Sequence, residues 1–129
     1  MNTVDKKAYL IGRIFGSICD MCGMYTMIKK NKYDDSKIHC TEKSFIFTPE
    51  SAIYNTKNRY DHIMSYARNK NMISVATYDK AMSELAENFE NIGNVKISLL
   101  DFVRGKNDVE TEIRSIRANN KKINNTNNN

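Results

Sequence analysis

The sequence predicts an all-α protein: a four-helix bundle with a long basic connection between its first two helices and a disordered, asparagine-rich tail. Three observations carry this expectation. Apolar residues recur at three- and four-residue intervals in four separate stretches, the period of a helix. The 129 residues include one proline and five glycines, too little punctuation for many short strands. The length suits one domain with a real core, residues 1–118 forming the bundle and 119–129 the tail.

The first helix is expected over 8–28. Ala8, Ile11, Phe15, Ile18, Cys22 and Tyr25 fall on one stripe, Leu10, Ile14 and Met21 widen it, and Gly12, Gly16 and Gly23 line up beside it. Arg13, Ser17 and Asp20 leave only a narrow polar face, so the helix is central and buried on more than one side. Each glycine costs roughly 1 kcal/mol of helix propensity against alanine, so close approach of another backbone is expected to compensate.

Residues 29–47 are polar and then β-like at "SFIF", which reads as a long connection with a short strand. "TPES" opens a second helix, with Thr48 as N-cap, Pro49 in the first turn and Glu50 at the positive end. Ile53, Tyr60, Ile63, Met64 and Ala67 form its inner face through about Lys70. A third helix is expected near 77–92, with Thr77 as cap, Tyr78, Ala81, Leu85 and Phe89 as stripe and Gly93 at C′. Ser98 with Asp101 is an N-cap signature for a fourth, whose stripe is Phe102, Val109, Ile113 and Ile116 and which carries Glu110 and Arg114 as an i,i+4 pair. "NNKKINNTNNN" has little to bury and is expected to be disordered.

The chemistry-bearing residues are few. No run approaches the ~20 apolar residues of a membrane span, no signal peptide is evident, and three cysteines do not make a disulfide framework, so a cytoplasmic protein is expected. Cys19 and Cys22 form a C-x-x-C that His39 and Cys40 could complete as a zinc site. They sit deep in a helix rather than at its N-terminus or on a tight knuckle, and Cys22 is on the core stripe, so core cysteines are expected and no cofactor. The only histidines are His39 and His62; His62 has Asp61 adjacent in sequence but not on the same face, the glycines form no phosphate-cradling loop, and no catalytic residue is assigned.

What remains is basic. The net charge is +5 and the pI about 9.1, with Lys29, Lys30, Lys32, Lys37 and Lys43 in the first connection. Arg13 lies on the polar face of the first helix. Lys57 and Arg68 flank one edge of the second, Arg59 and Lys70 the other, and Arg104 is on the outer face of the last. Such arrangements hold a nucleic-acid backbone by charge without reading bases; they are also the ordinary surface of a solvated helix.

"AYLIGRIFGSI" resembles the opening helix of one family, the C-terminal helical domain of the large subunit of type I-C CRISPR Cascade, also made separately as the complex's small subunit. The family helix reads Ala-Tyr-Leu-Leu-Gly-Arg-Leu before a short apolar run. Ala8, Tyr9, Leu10, Gly12 and Arg13 match, and Ile11 and Ile14 are conservative replacements. "TPESAI" resembles the family's Thr-Pro start of a second helix, and "LLDFVRG" a final helix in which Phe precedes Gly by three residues. The likeness runs to about residue 117. It departs where the family has a tyrosine-rich run ending in Gln-Arg and this chain has "KNDVETEIR", and in the rebuilt "KKNKYDDSKIHC" connection.

The resemblance implies a non-catalytic subunit that packs beside the crRNA-bearing backbone and steadies the R-loop through phosphate contacts. Its partners would be Cascade subunits and the crRNA and target-DNA backbone, with no membrane and no small-molecule substrate. Arg13 is the matched phosphate position, Tyr9, Gly12 and Gly16 the packing positions, and Lys29, Lys30, Lys32, Lys57, Arg59, Arg68, Lys70 and Arg104 contact candidates by charge alone. The same likeness admits a virus-encoded anti-CRISPR that mimics the subunit and blocks assembly or target binding. A zinc-stabilised helical protein and a helical interaction protein without nucleic-acid contact are the other readings.

Overall fold

The computed structural model of the chain describes residues 5–29 and 35–127, the side chains of 29, 35–40 and 123–127 excepted. The described residues form six helices and no strand: α1 (Lys6–Lys29), α2 (Asp35–Phe47), α3 (Pro49–Arg59), α4 (Asp61–Asn69), α5 (Ile73–Asn88) and α6 (Leu99–Asn127). The all-α expectation holds; the count of four does not. The connection expected with a strand at "SFIF" is largely α2, because Phe45 and Ile46 bury their side chains from a helical backbone. The second expected helix divides at Tyr60, whose φ of −109° and ψ of 22° leave the helical range while its ring goes into the core. α6 continues to Asn127, through the segment expected to be disordered: a helix under way adds one backbone bond per residue without needing apolar side chains.

α1 is the central element, packed chiefly on α6 and α5. All the apolar residues of its expected face are buried except Tyr25, which is half-buried. Ser17, expected on the polar face, is fully buried against α5. Its hydroxyl lies 2.7 Å from that of Thr77, with the Arg13 and Ser74 carbonyls in reach of the two. Thr77 is therefore no cap. α5 starts four residues earlier, after Asn71 turns the chain at φ 51° and Met72 extends it.

α1 and α6 run parallel, since their contacts advance together along both helices. The Asp5 N–H donates to Asp101 Oδ2 at 3.1 Å, Tyr9 meets Asp108, Arg13 meets Glu112 and Asp20 meets Arg117. Asp5 also caps α1 by accepting from the Ala8 N–H at 3.1 Å, and Ser98 caps α6 by accepting from the Asp101 N–H at 3.3 Å, as expected. Thr48 makes no such cap: its hydroxyl donates back to the Ser44 carbonyl. Glu50 accepts from the Gly93 N–H at 2.8 Å, tying α3 to the stretch before α6. Gly93 is there at φ 74°, in the left-handed region that favours glycine, and not at a helix C′: α5 has already ended at Asn88. Phe15 sits at the middle of the core, its ring 5.2 Å from Phe45 and 5.6 Å from Phe102.

Candidate nucleic-acid interface

The α1–α6 contact is built on glycine. A Cβ on Gly12 would collide with the Phe102 carbonyl, and one on Gly105 with the Tyr9 carbonyl; at Gly16 it would lie 2.8 Å from Val109 Cγ1. The close approach expected at Gly12 and Gly16 is thus met inside the chain, by α6. Gly105, its reciprocal, ends the "LLDFVRG" segment, where the resemblance places a glycine without a packing role. Gly23 differs: nothing lies within 4 Å of where its Cβ would be.

Along one edge of this contact, polar groups pair across the two helices. The Tyr9 hydroxyl donates to Asp108 Oδ2 at 2.7 Å; burial, then that carboxylate, raise its pKa. Arg13 Nη2 donates to Glu112 Oε2 at 2.7 Å and its guanidinium stands 5.8 Å from the Tyr9 ring centroid. Burial opposes the Arg13 charge, but Glu112 and Tyr9 together outweigh it and the pKa is raised. With its side chain only 13 % exposed, Arg13 is committed to α6. Arg117 grips Asp20 through two bonds of 2.7 Å.

The other basic candidates divide by helix. Arg104 pairs with Asp101 at 3.6 Å. Arg68 forms a fork on Asp79, with bonds of 2.8 and 3.1 Å that hold the Asp79 carboxyl below its ordinary pKa. Lys57 lines a cleft of about 250 Å³ with Arg68, Asp61 and Tyr78. Arg59 stands 5.7 Å from the Tyr60 ring centroid and Lys70 6.0 Å from that of Tyr66; neither forms an ion pair with a described residue. Lys29 is the last residue of α1, its side chain outside the described set, and Lys30 and Lys32 fall outside it altogether.

Cys22 is buried and Cys19 nearly so, and burial pushes the Cys19 thiol up to about 12, far from a reactive thiolate. Among the described residues no group of three His, Cys, Asp or Glu is placed to hold a metal; the side chains of His39 and Cys40 are outside that set. His62 is exposed, as expected, and meets the Tyr25 ring edge-on. A groove of about 470 Å³ opens between the later turns of α1 and α6, walled by Met24, Met27 and Ile113 and rimmed by Asp20 and Arg117. Among the described residues no helix is long and apolar enough to cross a membrane.

The chain matches no protein-family model, no curated protein and no solved structure.

Proposed function

We propose that this chain is a non-catalytic, small-subunit-like component of a type I-C CRISPR surveillance complex, packed along its crRNA-bearing backbone and contacting nucleic acid there. The observation that carries the reading is a coincidence of sequence and packing. Two of the three segments that resemble the family, residues 8–18 and 99–105, pack against each other through Gly12 and Gly105. Two of the matching residues, Gly12 and Gly105, are the ones at which the helix pair closes.

One observation favours a second reading, a virus-encoded mimic that blocks assembly or target binding. Arg13, the matched phosphate position, is held by Glu112, and Arg104 by Asp101. A chain in which these two cations are answered internally fits a subunit's place by shape without gripping the strand through them.

The test is target-DNA binding by a type I-C Cascade prepared without its small subunit, with and without this protein, and the same addition to the intact complex. Restored binding in the depleted complex is expected for a working subunit. Loss of binding by the intact complex marks the mimic. No effect on either retires both.

A further inference from the structure

Phe15, Phe45, Tyr60, Tyr78 and Phe102 are buried, and Phe47 and Tyr54 are exposed. One group of partly exposed rings is clustered. Tyr25, late in α1, meets two residues of α4, with ring centroids 5.8 Å from His62 and 5.2 Å from Tyr66 and interplanar angles of 82° and 84°. His62, Tyr66 and Lys70 follow at i, i+4 and i+8 and so share one stripe. His62 and Lys70 are exposed, Tyr25 and Tyr66 half-buried, and Lys70 Nζ sits over the Tyr66 ring.

The charges around this stripe differ from those along the α1–α6 contact. There, Arg13, Arg104, Lys106 and Arg117 are each matched by a carboxylate. On α3 and α4 the sequence places Lys57, Arg59, Arg68 and Lys70 against Glu50 and Asp61; Arg68 is taken by Asp79 of α5, while Lys57, Arg59 and Lys70 form no ion pair with a described residue. Glu50 is turned to the Gly93 amide, and Asp61 lies with Lys57 and Arg68 at a separate cleft, so neither carboxylate faces the rings. Partly exposed rings beside an unneutralised cation are what an unpaired strand recognises: bases stack on the rings while cations hold the phosphates. A duplex, its bases stacked on one another, offers the rings nothing.

We infer that Tyr25, His62, Tyr66 and Lys70 form a stacking surface for single-stranded nucleic acid. The rings take bases, Lys70 pairs with phosphate, and a His62 ring N–H donates to phosphate oxygen. The inference rests on the reading above that the chain contacts nucleic acid, and it moves that contact from Arg13 to α4.

The experiment uses the full chain with a fluorescein-labelled oligothymidylate and a labelled duplex, followed by anisotropy over a range of salt. Because the chain has no tryptophan, its tyrosine emission reports stacking directly. Single-strand binding with quenched tyrosine emission is expected, and weaker duplex binding. Tyr66→Leu should weaken single-strand binding about ten-fold with the salt slope unchanged, and Lys70→Gln should keep the quench while lowering the slope by about 0.7. His62→Ala and Lys70→Gln, both at exposed positions, keep the test valid if Tyr66→Leu fails to fold. Equal binding by all variants, or duplex binding as tight as single-strand binding without quenching, overturns the surface. A chain that alters Cascade's target binding yet ignores the oligonucleotide overturns the stacking surface alone. One that binds through these residues and leaves Cascade unaffected overturns the complex assignment and keeps the surface.

Discussion

Gly12 and Gly105 face each other's helix at one crossing, Gly12 against the Phe102 carbonyl and Gly105 against the Tyr9 carbonyl. An added methyl at either position must push backbone from backbone, since no flexible side chain can yield. Gly12→Ala or Gly105→Ala should therefore destabilise the fold by about 2–3 kcal/mol, the range of core overpacking, read by urea unfolding. The double variant should lose less than the sum, because one separation of the helices relieves both collisions. Gly23→Ala should do the reverse. With open space at its Cβ, it should gain up to ~1 kcal/mol of helix propensity.

Arg13 and Glu112 should show a measurable coupling. A double-mutant cycle with Arg13→Ala and Glu112→Ala is expected to give about 0.5–1 kcal/mol, at the upper end for a pair with one exposed partner. The Glu112 side chain is 42 % exposed, so the coupling should shrink in high salt. Zero coupling at low salt would mean that the pair contributes nothing to the fold.

Phe45 anchors α2. It is fully buried, in contact with Phe15, and α2 makes few other contacts with α1. Phe45→Ala is expected to cost about 3–5 kcal/mol. Hydrogen exchange should then show α2 amides losing protection before those of α5 or α6.

Cys19 should be slow to alkylate. With its pKa raised from 9.0 to about 12 by burial, the neutral thiol is favoured in the folded chain. At pH 8 its reaction with iodoacetamide should be on the order of a thousand-fold slower than that of an exposed thiol, and become ordinary in urea. The linkage has a definite sign. The folded chain holds this proton more tightly than the unfolded one, so the contribution is complete below pH 9 and is lost as pH rises from 9 toward 12. Rapid alkylation of folded protein at pH 8 would contradict the burial.

The sequence made the apolar faces legible and the helix boundaries much less so. The α1 stripe from Ala8 to Cys22 could be read because the 3.6-residue period survives wherever a helix buries one face. The Ser98 cap could be read because its partner, the Asp101 N–H, is three residues away. α2 could not, since Phe45 and Ile46 in a short polar helix look the same as a strand. Nor could the Ser17–Thr77 hydroxyl pair, which spans 60 residues and turns a polar position into a core one. For the candidate interface, the cations of α3 and α4 were visible in composition. That Arg13 is neutralised while Lys70 is not depends on Glu112, which is 99 residues from Arg13. The meeting of Tyr25 with Tyr66 is likewise a product of tertiary packing.

The parallel pairing of α1 with α6 also sets an order of events during synthesis. α1 leaves the ribosome well before α6, yet it is α6 that meets α1 at Gly12 and Gly16. At roughly 5–20 residues per second, translation from the end of α1 to the start of α6 takes about 4–14 s. Through that interval a broadly apolar helix is without the neighbour that covers it. A chaperone would find the nascent chain at its most receptive then, before Gly105 has been made.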